Sequence, residues 1–507
     1  MQYTLKNLLA VGADQAPAIS APSRNPLTFG ALRALIDRTI ETLNKAGIGR
    51  NDRVAIVLPN TPETATCFIS CASGVTSAPL NPAYVAEEFE FHLSDLNARA
   101  VIVEQGSTSP VIEVAEKLGV HLFDLIAQTA QGAGCFRLEA RDWKGGTPAA
   151  HGGYSHPSDV SMVLHTSGTT ARPKIVPLSQ ANLAASAMNI RDTLRLEPGD
   201  CGLNIMPLFH IHGLIAGLLA PLAAGSQVFC APGFNALKFF AWMDEAHSTW
   251  YTAVPTMHEA IVSRASRNLE IIARNPLRLV RSSSSSMPLQ VIKDLEQIFK
   301  APLIESYGMT EAAHQMSSNP LPPAVRKPGT VGLSAGPEVA IMDSAGTLLP
   351  RGGTGEIVVR GANVTAGYEN NPDANAANFR DGWFRTGDQG AMDADGYLSI
   401  TGRLKEIINR GGEKFSPREV DEILLAHPAV AQGVCFGMPH AKLGEEVAAV
   451  VVLREGQQIT ERELQSFVGS HAATYKVPKK ILIVDEIPKN ATGKVQRMAL
   501  AQKLGLV

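Results

Sequence analysis

Charged side chains are scarce in this 507-residue chain: Asp, Glu, Lys and Arg together make up 18%, below the roughly 25% of an average soluble protein. Neither sign dominates, since 45 basic residues face 48 acidic ones and leave a net charge of −3. A nucleic-acid-binding surface needs a clear basic excess, so that class is excluded. A long apolar run is also missing. The longest weakly polar stretch, Gly213 to Gly225, is too short to span a bilayer and contains Pro221. The first residues, MQYTLKNLLAVGADQ, lack the charged leader and sustained apolar segment of a secretory signal, and the last, AQKLGLV, form no peroxisomal tripeptide. Six cysteines show neither CxxC nor Cys/His metal spacing and read as buried thiols of a reducing compartment. The expectation is a soluble cytoplasmic protein.

Apolar material is plentiful. With 45% hydrophobic residues the chain can build large cores, and global disorder is excluded. Its length allows three or four compact units, or one large domain and a smaller one. RVAIVLP (Arg53 to Pro59) and ARAVIVE (Ala98 to Glu104) read as buried strands, and the stretch from Ala31 repeats apolar residues at helical spacing. SQVFCAP, STWYTAVP and LRLVRSS are further short strands separated by helices, the alternation of α/β layering on largely parallel sheets. After about Thr330, glycine-broken strands suggest an antiparallel or barrel-like subdomain. A compact α+β tail follows Gly402, and a boundary is placed at Gly402–Lys405, giving units 1–402 and 403–507.

Five segments carry chemistry. HTSGTTARPKIV (His165 to Val176) follows a short apolar strand with hydroxyls at Thr166, Ser167, Thr169 and Thr170, a glycine at Gly168 and the ammonium of Lys174. Backbone N–H groups, hydroxyls and an ammonium suit phosphate oxygens, although no Walker loop is present and a Ser/Thr-rich surface turn is the alternative. In ESYGMTEAAH (Glu305 to His314), Tyr307 suits a stacked base, Thr310 a phosphate and Glu311 a magnesium ion. A helix start with a capping threonine fits equally. WFRTGDQG (Trp383 to Gly390) places Asp388 in a glycine turn, suited to a ribose or to an Asx turn. TGRLKEIINRGGEKFSPREVDEIL (Thr401 to Leu424) is dense in charge and glycine, and PKNATGKVQR (Pro488 to Arg497) carries a lysine on a turn.

In this order and at these distances, the five segments resemble the adenylate-forming superfamily of acyl-CoA synthetases, luciferases and peptide-synthetase adenylation domains, from about Thr28 to Arg497. The resemblance implies a large N-terminal domain of two stacked α/β subdomains and a small β-barrel-like one, with a mobile α+β C-terminal domain. It implies that ATP activates a carboxylate as an acyl-adenylate, releasing pyrophosphate, before the thiol of coenzyme A attacks. By position, Thr166–Thr170 and Lys174 would hold the outer phosphates, Thr310 the α-phosphate and Glu311 the Mg²⁺. Tyr307, continuing through Gly308 and Met309, and the backbone of Ser286, Met287 and Pro288 would sandwich adenine; Asp388 and Arg403 would clasp the ribose. Lys494 would be the adenylation lysine, Lys405 the hinge, and Gly411, Gly412 and Lys414 the contacts to CoA. Ala171 and Ile175 stand where the family's phosphate loop commonly has glycines.

PLFHIHGL brings His210 and His212, which would face one side if extended. RSSSSSMP brings Ser284, with Arg281 as a strand-end packing residue or a clamp, and His314 closes the third segment. Imidazoles and hydroxyls suit a small, doubly charged acid better than a long fatty acid or a flat aromatic one. His210 matches a family position at the acyl tunnel. These segments resemble in particular the oxalate–CoA ligases of the superfamily, in which His314, Ser284 and one of the paired histidines would contact oxalate. A ligase for malonate or another short acid, an enzyme loading a carrier protein, a luciferase-like oxidase and a catalytically silent nucleotide-binding protein are the alternatives. Oligomeric state is not legible.

Overall fold

The computed structural model describes residues 3–141, 147–166, 173–489 and 495–507. Two large sheets dominate it. In the first, seven described strands run in the order Phe136–Ala140, His121–Ala127, Ala100–Glu104, Arg53–Val57, Thr76–Pro79, Val160–Thr166 and Lys174–Ser179, parallel inside and antiparallel at both edges. In the second, Leu303–Met309, Leu279–Ser282, Trp250–Ala253, Cys201–Asn204 and Gln227–Cys230 are mutually parallel, and the antiparallel strand His314–Ser318 lies against Leu303–Met309.

Strand side chains alternate between faces, so each sheet feeds two cores. Val54 and Ile56 of the first sheet share one continuous core with Ile19, Val228, Trp250, Leu279 and Ile304 of the second. Ala55 and Val57 point the other way, into a separate cluster with Phe89, Leu93 and Val111. The shared layer is filled by the helices Phe29–Lys45, Pro62–Gly74 and Gln180–Leu194 and by the π-helical segment His212–Leu219. Helix Phe29–Lys45 starts two residues before the apolar repeat because the Thr28 hydroxyl accepts from the Ala31 N–H and caps it. Its buried Leu32, Leu35, Ile36, Thr39, Ile40 and Leu43 form the stripe that faces the core.

Residues Glu338 to Arg403 form the antiparallel sheet expected from the glycine-broken strands, five strands among the described residues, ending in Leu398–Arg403. A single turn, Leu404–Glu406, separates it from a further five described strands that begin at Ile408–Arg410 and pack on helices Pro417–Ala426 and Glu461–His471. Among the described residues no helix is long and apolar enough to cross a membrane. All six cysteines are buried and unpaired with one another by disulfides.

Candidate active site

The candidate segments around His210 and His212, Ser284 to Pro288, and Tyr307 to His314 lie at or just beyond the C-terminal ends of the second sheet's parallel strands Cys201–Asn204, Leu279–Ser282 and Leu303–Met309, where open α/β sheets form their ligand crevice. The hairpin of Leu303–Met309 and His314–Ser318 supplies several groups at once. Its strands approach so closely that a Cβ on Gly308 would stand 1.5 Å from the His314 carbonyl oxygen, so no larger residue fits without moving the backbone. Between them Thr310–Ala312 makes one 3-10 turn, not the start of a capped helix, and the chain returns through left-handed conformations at Ala313 and His314 (φ 46° and 96°).

That turn buries Glu311, whose Oε1 accepts a hydrogen bond from the Tyr368 hydroxyl at 2.8 Å. Burial pushes the Glu311 carboxyl up, opposed by the Tyr368 bond and by Lys174 and Arg403. The Lys174 ammonium lies 4.4 Å from the centre of the Tyr368 ring. Burial lowers its pKa; the Glu311 carboxylate opposes that shift and the Lys405 charge adds to it, so the two candidate lysines lie within electrostatic reach of each other. Lys174 is paired with Thr166 across the hairpin of Val160–Thr166 and Lys174–Ser179. Ile175, where the family commonly has glycine, is a buried strand residue. Ser167, Gly168, Thr169, Thr170 and Ala171 lie outside the described residues.

Asp388 departs from the sequence expectation. It lies within the strand Trp383–Met392 and not in a turn, because Gly387 takes a left-handed φ of 74° and lets the strand continue through a local bend. This puts Asp388 opposite Arg403 on the neighbouring strand, with Arg403 Nε 2.9 Å from Asp388 Oδ1. The Tyr307 hydroxyl donates to Asp388 Oδ2. Burial, then the Asp388 charge, raises the Tyr307 phenol far above its ordinary range, so the proton stays on the tyrosine. One carboxylate therefore ties the base-stacking candidate to the ribose candidates. Ser286 is exposed, Met287 is buried with its sulfur 3.6 Å from the Ser282 hydroxyl, and Pro288 precedes helix Leu289–Phe299.

The acid-binding candidates also converge, in a different way from the one expected. His210 and His212 do not alternate on an extended segment. The chain turns at His210 and enters a helix, anchored where the Asn204 amide donates to the Gly213 carbonyl at 3.2 Å, so residues two apart point in different directions. His210 is half-buried against Phe209, with ring centres 4.6 Å apart. His212 is 2% exposed and stacks on His314, centroid to centroid 4.8 Å. Its Nδ1 lies 3.0 Å from Ser284 Oγ and its Nε2 2.7 Å from Thr252 Oγ1. Burial, then the neighbouring His314 and Arg281, holds the His212 pKa well below the usual imidazole value, so the ring is neutral. Ser284 is exposed and sits in a left-handed conformation (φ 73°). Non-glycine residues held there cost roughly 1–3 kcal/mol and cluster at functional sites.

Arg281 is part of this cluster and not strand-end packing. It is fully buried beside its cross-strand partner Thr252, and its Nη atoms lie 3.3 Å from His212 Nε2 and 3.2 Å from His314 Nε2. Gln315 Oε1 accepts from it at 3.3 Å. Sequence reasoning missed Thr252, Gln315 and Tyr368. Thr252 and Gln315 are ordinary strand residues whose role comes from register alone. Tyr368 is 57 residues from Glu311 in the sequence, and no local signal joins them.

In the C-terminal region Gly411 and Gly412 form the tip of a hairpin with positive φ (61° and 99°), and Lys414 is exposed beside it. Lys405 lies on the single turn that joins the two five-stranded sheets. Lys494 lies outside the described residues. Lys489 and Val495 form an isolated antiparallel bridge, and the Arg454 and Lys489 charges partly offset the upward push that burial gives Glu259 on helix Pro255–Ala265. Among the described residues no group of three or more His, Cys, Asp or Glu is arranged to hold a metal.

The model of the AMP-binding enzyme family matches residues 10–369, and that of the AMP-binding enzyme C-terminal domain matches 419–494. An oxalate–CoA ligase of Arabidopsis thaliana is 45% identical, with 98% of each chain covered. An oxalate–CoA ligase of Saccharomyces cerevisiae is 40% identical, covering 89% of this chain and 87% of its own. Crystalline ATP-bound MatB from Rhodopseudomonas palustris superposes with a TM-score of 0.87 at 29% identity, with 99% of each chain covered.

Proposed function

The chain belongs to the AMP-binding enzyme family, and on that premise we propose that it is an AMP-forming acid–CoA ligase acting on oxalate: oxalate + ATP + CoA → oxalyl-CoA + AMP + diphosphate. The family binds ATP, and the crevice described above is where it would lie. A carboxylate resists nucleophiles because its charge is delocalised; joined to the α-phosphate of ATP it becomes a mixed anhydride with AMP as leaving group. Lys174 and the Thr166–Thr170 loop would hold the outer phosphates, and Thr310 the α-phosphate. Tyr307, with the Ser286–Pro288 backbone, would hold adenine, while Asp388 and Arg403 would take the ribose hydroxyls. Lys494 would sit where negative charge gathers at the transferring phosphorus, the electrostatic role that governs such chemistry.

Glu311 suits Mg²⁺: a buried hard-oxygen ligand, oriented by Tyr368. Bound there, the ion would neutralise phosphate charge. Residues 1–402 and 403–507 would act as two domains that rotate at Lys405 between half-reactions, withdrawing Lys494 and bringing Gly411, Gly412 and Lys414 over the acyl-adenylate to guide CoA.

The observation that supports oxalate is the polar wall of His212, Ser284 and His314. Hydroxyl and imidazole donors there suit a second carboxylate and oppose an alkyl chain, which would leave them desolvated and unpaired. His210 would stand at the mouth of the acid tunnel. Malonate is the second reading, because an arginine, Arg281, lies directly behind the same wall. Pyrophosphate release by the purified enzyme, with CoA present, from oxalate, acetate, octanoate or coumarate tests the class of acid: oxalate should be turned over and the monocarboxylates not. AMP turnover undiminished by omitting CoA would instead indicate a carrier-loading enzyme.

A further inference from the structure

Arg281 is a fully buried cation, and among the described residues no Asp or Glu partners it and its Nε has no hydrogen-bond acceptor. Burial alone pulls its pKa down to about 9, still charged at neutral pH. Burying an unpaired charge costs several kcal/mol, so its neighbours explain its presence. A guanidinium has five N–H donors and no acceptor, so any nitrogen or oxygen it bonds must itself accept. Nη1 meets His212 Nε2 at 3.3 Å and Nη2 meets His314 Nε2 at 3.2 Å. Neither Nε2 therefore carries a hydrogen. Thr252 Oγ1 accepts from Nη1 at 3.3 Å, which turns the threonine hydrogen onto His212 Nε2 at 2.7 Å. In a neutral ring the one proton then sits on Nδ1, and His212 Nδ1 lies 3.0 Å from Ser284 Oγ.

We propose that Arg281 is a positioning residue that fixes His212 and His314 as Nδ1–H tautomers, so that His212 donates to Ser284 and the serine hydroxyl hydrogen is turned toward the substrate carboxylate. The opposite His212 tautomer would make Ser284 donate back to the ring and present a lone pair to an anion. Arg281 thus converts a histidine–serine pair of ambiguous polarity into a donor, without touching the acid itself. The identity of the acid rests on the proposed function above; the tautomer does not.

Nitrogen-15 NMR of the full-length protein labelled at histidine, without acid or nucleotide, reads the tautomer directly. The expected spectrum shows a protonated Nδ1 and a bare Nε2 for His212 and His314, assigned by their absence in His212→Asn and His314→Asn. In Arg281→Met the Nδ1–H population should fall and the KM for the acid rise about tenfold, the loss of one hydrogen bond's worth of alignment, with the KM for ATP unchanged. Should that variant not fold, two substitutions that keep the arginine decide. His212→Asn retains an amide donor at the Nδ1 position and should keep a lower acid KM than His212→Gln, which places its amide at the Nε2 position. A protonated Nε2 on His212 in the native protein, or a better Gln than Asn variant, overturns the proposal. Nδ1–H signals in a protein that does not turn over oxalate would uphold the role of Arg281 and overturn the acid assignment.

Discussion

Tyr368 donates its phenolic hydrogen to Glu311 at 2.8 Å while its ring lies 4.4 Å from the Lys174 ammonium. One side chain thus orients the metal candidate and packs beneath a phosphate candidate. Tyr368→Phe keeps the ring and removes the bond. A hydrogen bond to a charged group contributes about 1.5–3 kcal/mol, so kcat/KM for MgATP should fall roughly tenfold or more. The KM for the acid should stay as it was. Steady-state kinetics with each substrate varied in turn makes the comparison.

Asp388 accepts from both Tyr307 and Arg403. Asp388→Asn removes the charge and one acceptor, and titration calorimetry should show AMP binding weakened by about one to two orders of magnitude. The far-ultraviolet circular dichroism should be unchanged. Retained AMP affinity would mean that the ribose binds elsewhere.

Lys494→Ala separates the half-reactions. Pyrophosphate formation should drop by about 10²–10³-fold, the usual effect of removing an electrostatic stabiliser, while conversion of supplied oxalyl-AMP and CoA to oxalyl-CoA continues. Equal loss of both halves would contradict domain rotation at Lys405.

Three neutral buried histidines set an acid limit. Burial holds His258 at about 3 and His92 at about 4, and holds His212 well below the ordinary 6.5. Below pH 6.5 the unfolded chain protonates these rings while the folded one does not. The unfolded state then binds more protons, and stability falls as pH falls, by up to about 1.4 kcal/mol per pH unit for each group until its folded pKa is reached. Glu305 has the opposite sign: burial raises its carboxyl to about 7, so its contribution declines as pH rises from 4.5 toward 7. Melting temperatures between pH 7.5 and 5.5 should fall less steeply in His258→Gln, and Glu305→Gln should melt higher than the native protein at pH 8 and equally at pH 4.5.

The layered architecture was legible because strand and helix periodicities are local, and the five motifs because their order and spacing are sequence properties. The polarity of the acid site was not. His210 and His212 are two residues apart, yet only the helix anchored by Asn204 and Gly213 separates them. Arg281 reads as a strand-end residue until the parallel register places it beside Thr252 and the antiparallel return of the hairpin brings His314 over it. Asp388 read as a turn residue because Gly387 precedes it, whereas the pairing with Arg403 keeps it in a strand. In each case the deciding contact is a cross-strand or cross-layer neighbour, which no window of sequence contains.

Competition between oxalate and malonate for the same enzyme, ATP and CoA, with both thioester products measured together, weighs the proposed acid most directly. The expected result is a kcat/KM for oxalate at least about tenfold above that for malonate, because the extra methylene would strip water from the polar His212–Ser284 wall without offering it a hydrogen-bond partner. Equal or greater production of malonyl-CoA would contradict the assignment.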